Sequence, residues 1–188
     1  MRAYLIVAAA SLLSMAAATP AMAEGFRAEV HGGWDRPSVD HEGDSGIVYG
    51  VGLGYDMNIG SNVFAGVDLS FDDSTQKDCA RSVIAANDRF CESAGRDLAA
   101  GVRLGVNVTP QGKLYALAGY TNARFKVSYT TPAGVRSHDS ENFDGFGLGA
   151  GYQHSLGGNT YAKAEYRYSN YEHDIDRHQL LVGVGVTF

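Results

Sequence analysis

The chain has 188 residues, with 15 Lys and Arg against 21 Asp and Glu and a formal net charge of -6. That acidic balance disfavours a nucleic-acid partner, which basic patches serve, and the length allows one domain. After the N-terminal segment no run approaches the roughly 18 to 20 consecutive apolar residues of a spanning helix, so any membrane crossing falls to strands closed into a barrel.

At the N-terminus, Met1 and Arg2 supply a positive start, residues 3–18 form a short Ala-rich apolar stretch, and Ala21, Met22 and Ala23 make an A-x-A cleavage pattern. Residues 1–23 read as a secretory signal peptide, cut between Ala23 and Glu24, and residues 24–188 as one barrel domain.

Read at period two, the remainder divides into eight segments of about nine to thirteen residues, long enough for a tilted strand to cross the hydrocarbon layer. In 26–34, Phe26, Ala28, Val30, Gly32 and Trp34 share one face, and Arg27, Glu29 and His31 the other. In 47–57, Ile47, Tyr49, Val51, Leu53, Tyr55 and Met57 oppose Gly50, Gly52, Gly54 and Asp56. The third segment sets Val63, Ala65, Val67, Leu69 and Phe71 against Gly66, Asp68 and Ser70, and the fourth sets Leu98, Ala100, Val102, Leu104, Val106 and Val108 against Asp97, Gly101, Arg103, Gly105 and Asn107.

The fifth, 115–129, is less regular. Its parity places Tyr115, Leu117, Ala123, Phe125 and Val127 outside and Asn122, Arg124 and Lys126 inside. The sixth puts Phe146, Leu148, Ala150 and Tyr152 outside and Gly145, Gly147, Gly149 and Gly151 inside. The seventh, 160–170, puts Ala162, Ala164, Tyr166 and Tyr168 outside and Lys163, Glu165 and Arg167 inside. The eighth, from about Gln179, alternates apolar residues to the terminal aromatic Phe188.

Short connections at 58–62, 109–112 and 155–159 carry tight-turn residues, and longer ones run over 36–46, 72–96, 130–142 and 172–178. Short periplasmic turns and long external loops are the asymmetry of transmembrane barrels, with both termini then on the periplasmic side. Aromatic residues fall at two levels, Trp34, Tyr49, Phe71, Phe125, Phe146 and Tyr168 externally and Tyr55, Tyr115, Tyr152 and Phe188 at the periplasmic ring. The fold expected is therefore all-β, an eight-stranded antiparallel up-and-down transmembrane β-barrel. A soluble lipocalin-type barrel, suggested by Gly32-Gly33-Trp34, has the wrong polarity, since it would need charges outside and apolar side chains inside.

The signal peptide, the penultimate-strand segment YAKAEYRY at 161–168 and the terminal strand through Phe188 resemble the small outer-membrane β-barrels of Gram-negative bacteria, of the OmpA-like transmembrane and opacity-type surface-antigen kind. The resemblance implies outer-membrane lipid and lipopolysaccharide as surroundings, delivery by the barrel-assembly machinery, and Phe188 as part of the signal that machinery reads. It implies no peptidoglycan-binding domain.

An eight-stranded barrel encloses space for side chains only, so the inward set decides between plug and pore. Arg27, Glu29, Asp68, Arg103, Arg124, Lys163, Glu165 and Arg167 form a mixed-sign lumen set, and unpaired they would each cost several kcal/mol. A static salt-bridge core is favoured over an ion pathway. The inward glycines leave two readings open, space for a file of water or room for long side chains from across the barrel. Cys79 and Cys91, the only cysteines, lie in the longest external loop and pass through an oxidising compartment, so a disulfide is expected.

That loop, with Val83, Ile84, Ala85 and Phe90 among charges, is the leading candidate for recognition of an external ligand, against a short helix at 83–86 packed on the rim. Tyr168-Ser169-Asn170 resembles the His-Ser-Asn of lipid A deacylases, but a phenol with a pKa near 10 stands where the general-base His belongs. His173 follows in the loop as a possible substitute. His41, His138, His173 and His178 sit with acidic neighbours but at no metal-site spacing. No catalytic, cofactor or metal residue is assigned. The expected role is a monomeric, non-enzymatic surface-interaction barrel acting through its loops, with a narrow porin as the alternative and a lipid A hydrolase as a remote one.

Overall fold

The computed structural model describes residues 25–39, 45–82, 86, 88–172 and 175–188. The expected signal segment with its Ala23/Glu24 cleavage point, His41, His173 and most of the helix considered at 83–86 lie outside the described residues.

Among these residues there are β1 (Gly25–Val39), β2 (Gly46–Asn58), β3 (Val63–Ser74), β4 (Lys77–Arg81), β5 (Arg89–Thr109), β6 (Gly112–Thr130), β7 (Arg136–Gly157), β8 (Thr160–Tyr171) and β9 (Ile175–Thr187). Consecutive strands pair antiparallel, β1 pairs with β9, and β3 pairs with β5. The ring thus closes with eight strands, while β4 stands outside it on β5. Closure gives every strand of the ring a partner on both sides, which is what lets strands cross a hydrocarbon layer.

The pleat sends alternate side chains to opposite sides. Phe26, Ile47, Val51, Leu53, Val67, Leu69, Val102, Leu104, Leu148, Val182 and Val184 are exposed on the outer face. Their neighbours Arg27, Glu29, Asp56, Arg103, Lys163 and Glu165 are buried inside. One strand departs from expectation. In β6 the outward residues are Leu114, Ala116, Ala118 and Tyr120, and Tyr115 faces inward, only 5% exposed. Apolar residues occupy both parities there, and a tyrosine satisfies either side if its hydroxyl finds a partner. Tyr115 therefore leaves the periplasmic aromatic ring, and Tyr120 joins the external one.

The segments expected as external loops are largely strand. β5, β6 and β7 have 21, 19 and 22 residues, whereas about 9 to 11 suffice to cross the layer. Their excess, with β4, forms an antiparallel sheet standing on the external rim, roughly 30 Å long along the strands. β7 pairs with β8 only from Gly145 onwards. Hence residues 136–143 are hydrogen-bonded on their β6 side alone among the described residues, and Asp144 O accepts from Glu172 N at 3.1 Å. At the opposite end the turns are short, and Gly157 and Gly158 between β7 and β8 take φ values of 104° and 59°, a conformation that suits glycine.

Candidate functional site

The inward face of β1, β3 and β8 builds a closed ring of charge. Lys163 Nζ pairs with Glu29 Oε1 and lies 3.2 Å from Glu165 Oε2. Arg167 Nε pairs with Glu165 Oε1, and its Nη1 lies 3.1 Å from Asp72 Oδ2. His31 completes the circuit, with Nε2 at 2.5 Å from Asp72 Oδ1 and Nδ1 facing Glu29 Oε1 at 3.4 Å. Two tyrosines brace it, Tyr115 Oη donating to Glu165 (2.6 Å) and Tyr161 Oη donating to Glu29 (2.8 Å).

Nearer the periplasmic turns is a second cluster around Asp56. Arg103 donates to both its oxygens, from Nε at 2.8 Å and Nη2 at 2.5 Å, and also to Gln153 Oε1 at 3.2 Å. Arg27 Nε reaches Asp56 at 3.1 Å while its Nη2 donates to Asp68 at 2.9 Å. The Arg103 guanidinium also lies over the Phe64 and Tyr115 rings, 5.1 and 4.6 Å from their centroids.

Nearer the external end Arg177 is clamped between two carboxylates. It donates to Asp35 through Nε (2.7 Å) and Nη2 (2.9 Å), and to Asp97 through Nη1 (2.8 Å). Tyr171 Oη and Thr121 Oγ1 donate to the same Asp97 at 2.9 and 2.6 Å. Ala123, Tyr171 and Ile175, with Phe143 packed against them, form an apolar cluster adjoining this clamp. The strands are thus cross-tied from one end of the lumen to the other.

The inward glycines make room for these side chains. A Cβ on Gly151 or Gly185 would come within 2.5 Å of the Tyr115 or Tyr161 ring, and one on Gly52 within 2.8 Å of Glu29. Of the two readings open from sequence, the structure takes the second. A cavity of about 40 Å³, lined in part by Asp97, Thr121, Ser169 and Gln179, has room for a few waters, and another of about 200 Å³ lies at the periplasmic end among Asn107, Lys113, Gln153 and Tyr161.

Of the residues expected in the lumen, Arg27, Glu29, Asp68, Arg103, Lys163, Glu165 and Arg167 meet there. Arg124 does not. It lies on the outward parity of β6, where Nη2 donates to Ser140 Oγ at 2.6 Å. Above the membrane an outward residue meets water instead of lipid, so charge at 124 no longer reports an inward position. His31, Asp35, Asp56, Asp72, Asp97, Tyr115, Tyr161, Tyr171 and Arg177 were not singled out from sequence for the network. For His31, Asp56 and Asp97 the signal was already present in their parity. Cys79 and Cys91 are bonded, at 2.08 Å, as register partners of β4 and β5. Phe188 is exposed and its N–H donates to Phe26 O at 2.9 Å.

The external sheet gathers most of its cations on one face, although Asp144 at its base shares that face. On the face continuous with the outer wall lie Arg124, Lys126, Arg136 and His138, and Arg89 on β5, opposite Thr130, shares it. None of these makes an ion pair among the described residues. The other face carries Phe90, Val127, Tyr129, Asp139, Glu141 and Phe143. Ser169, considered for its resemblance to a lipid A deacylase serine, is buried on the inward parity of β8, away from lipid.

Comparison with solved structures agrees with this architecture. Ail, the attachment invasion locus protein of Yersinia pestis, in its complex with the heparin analogue sucrose octasulfate, superposes with a TM-score of 0.62 at 16% identity, covering 89% of this chain and 100% of that one. Neisserial surface protein A gives 0.59 at 19% identity over 89% and 100%. The N-terminal β-barrel domain of Pseudomonas aeruginosa OprF gives 0.53 at 16% over 86% and 97%. No curated protein sequence matches. Residues 5–188 match the model of the outer membrane protein beta-barrel domain, and the chain belongs to that family, whose solved relatives reside in the Gram-negative outer membrane.

Proposed function

We propose that this barrel is a non-catalytic, closed scaffold that presents its external sheet for recognition of polyanionic glycans, sulfated or phosphorylated. The observation that carries the reading is a gathering of cations: Arg89, Arg124, Lys126, Arg136 and His138 share one face and make no ion pair among the described residues, while Asp139 and Glu141 sit on the other and Asp144 marks the base of the cationic face. Four unneutralised cations and a histidine on a rigid antiparallel frame favour a ligand with several anionic groups in a row. The filled lumen favours this reading over the narrow porin, and the buried position of Ser169 favours it over a lipid A hydrolase. Recognition is then spread over β5, β6 and β7, with the Cys79–Cys91 hairpin as its margin.

Sucrose octasulfate, the ligand in the Ail complex, is the natural probe. Calorimetric titration of the folded protein in detergent should give saturable binding that weakens steeply between about 0.05 and 0.5 M salt, as Debye screening requires. The double variant Lys126→Gln/Arg136→Gln should bind at least about tenfold more weakly. Undiminished binding by that variant, or equal binding of uncharged sucrose, would overturn the reading.

A further inference from the structure

A second anion site, remote from the external sheet, follows from the seam where β1 and β8 flank β9. Residues directly opposite in an antiparallel pair lie about 5 Å apart on the same face, so the register stacks three rows up the outer wall. Trp34, Leu180 and Tyr166 form the lowest, Arg36, His178 and Tyr168 the next, and Ser38, Asp176 and Asn170 the last. Trp and Tyr mark the boundary between hydrocarbon and headgroups. One row further out is two residues, or about 5 Å of height on a tilted strand, which is the depth of lipid phosphates.

The chemistry of the middle row fits that depth. Arg36 is exposed and makes no hydrogen bond or ion pair among the described residues. His178 Nδ1 is held 2.6 Å from Tyr166 Oη, and the imidazole lies against the Tyr168 ring at 5.2 Å between centroids. Tyr166 Oη and Nδ1 share that hydrogen bond, so Nε2 is the imidazole nitrogen left to meet a ligand beside the guanidinium. Asp176, one row out, accepts hydrogen bonds from Tyr168 Oη (2.5 Å) and Asn170 Nδ2 (2.8 Å). At the corresponding level of the β6–β7 seam, above Tyr120 and Phe146, stands a carboxylate instead, Asp144, accepting from Tyr120 Oη and Asn122 Nδ2.

We infer that Arg36 and His178, over the platform of Trp34 and Tyr168, form a binding site on the outer wall for the headgroup phosphate of a glycolipid in the external leaflet. The guanidinium supplies a two-pronged donor suited to phosphate and the imidazole a third hydrogen bond. The site fixes one lipid against one side of the barrel and does not depend on the glycan reading above.

Trp34 is the single tryptophan and lies one row below the site, so its fluorescence reports occupancy. The full folded barrel in phosphatidylcholine bicelles, titrated with bisphosphorylated lipid A, should show a saturable change that dephosphorylated lipid A does not produce. Native mass spectrometry counts the retained lipid in parallel. Arg36→Gln and His178→Gln should each weaken retention by about tenfold, the loss of one charge-assisted hydrogen bond, while Arg136→Gln on the external sheet leaves it unchanged. Three results overturn the inference: full retention by Arg36→Gln, an equal response to dephosphorylated lipid, or saturation by inorganic phosphate at the same concentration.

Discussion

Removal of the Arg177 guanidinium, as in Arg177→Met, strips charge from the best-bracketed cation in the lumen. Arg177 is 1% exposed, Asp35 is 0% and Asp97 is 3%. Asp97 keeps Tyr171 and Thr121 as donors, but Asp35 loses both of its bonds to Arg177. Breaking a buried pair on one side costs about 3 to 5 kcal/mol, because a carboxylate remains desolvated without its partner. With about 4 kcal/mol and a urea slope near 2 kcal/mol/M, the unfolding midpoint should fall by about 2 M. The assay is urea unfolding in lipid vesicles, followed by Trp34 emission and by the heat-dependent gel shift of a closed barrel. The double variant Asp35→Asn/Arg177→Met should recover most of the loss, since Asp35 is then neutral and Asp97 keeps the Tyr171 and Thr121 hydroxyls as donors. A loss below about 1 kcal/mol in the single variant, or no recovery in the double, would show that the clamp is solvated and contributes little.

The remaining expectations are simpler to read out. In planar bilayers the folded barrel should give no steady conductance level, because side chains fill its lumen; a reproducible open level would refute the closed-scaffold reading. Gly151→Ala should cost about 1 to 3 kcal/mol in the same unfolding assay, its new methyl pressed against the Tyr115 ring. Gly147→Ala, whose Cβ would meet Ser169 Oγ at an ordinary 3.5 Å, should be close to neutral; similar costs for the two would remove packing as the cause. The pair Cys79→Ser/Cys91→Ser should leave the barrel midpoint within about 0.5 kcal/mol, yet expose the hairpin to trypsin near Arg81 and Arg89. Equal protease resistance would mean that strand pairing alone orders it.

The alternation that forces one face into lipid was plain in the sequence, because lipid tolerates no charge and so makes the pattern strict. It was legible for β1, β2, β3, β7, β8 and β9, and for the membrane-spanning part of β5. It failed in β6, where Leu114 and Leu117, or Tyr115 and Tyr120, supply equal apolar weight to opposite faces. It failed again at Arg124, since the rule binds only within the membrane. The ring partners His31 and Asp72 were hidden for a different reason. A residue's side is set by its own strand, but its partner is set by the shear of the closed ring, which period two does not encode. The external sheet was invisible as strand because its two faces both meet water, so polarity does not alternate there.

The charge ring has a consequence for how the molecule comes to exist. Glu29 and His31 belong to the first strand, Asp72 to the third, and Lys163, Glu165 and Arg167 to the eighth. On an open sheet the β8 set lies at the opposite end from Glu29, His31 and Asp72, and the two sets are hydrated separately. They meet only when β1 finds β9, and only then can the interior shed its water. The final zip of the first strand onto the last is therefore also the moment at which six ionisable side chains change from solvated to mutually paired. A half-closed barrel has no halfway home for them, which gives assembly an all-or-none last step.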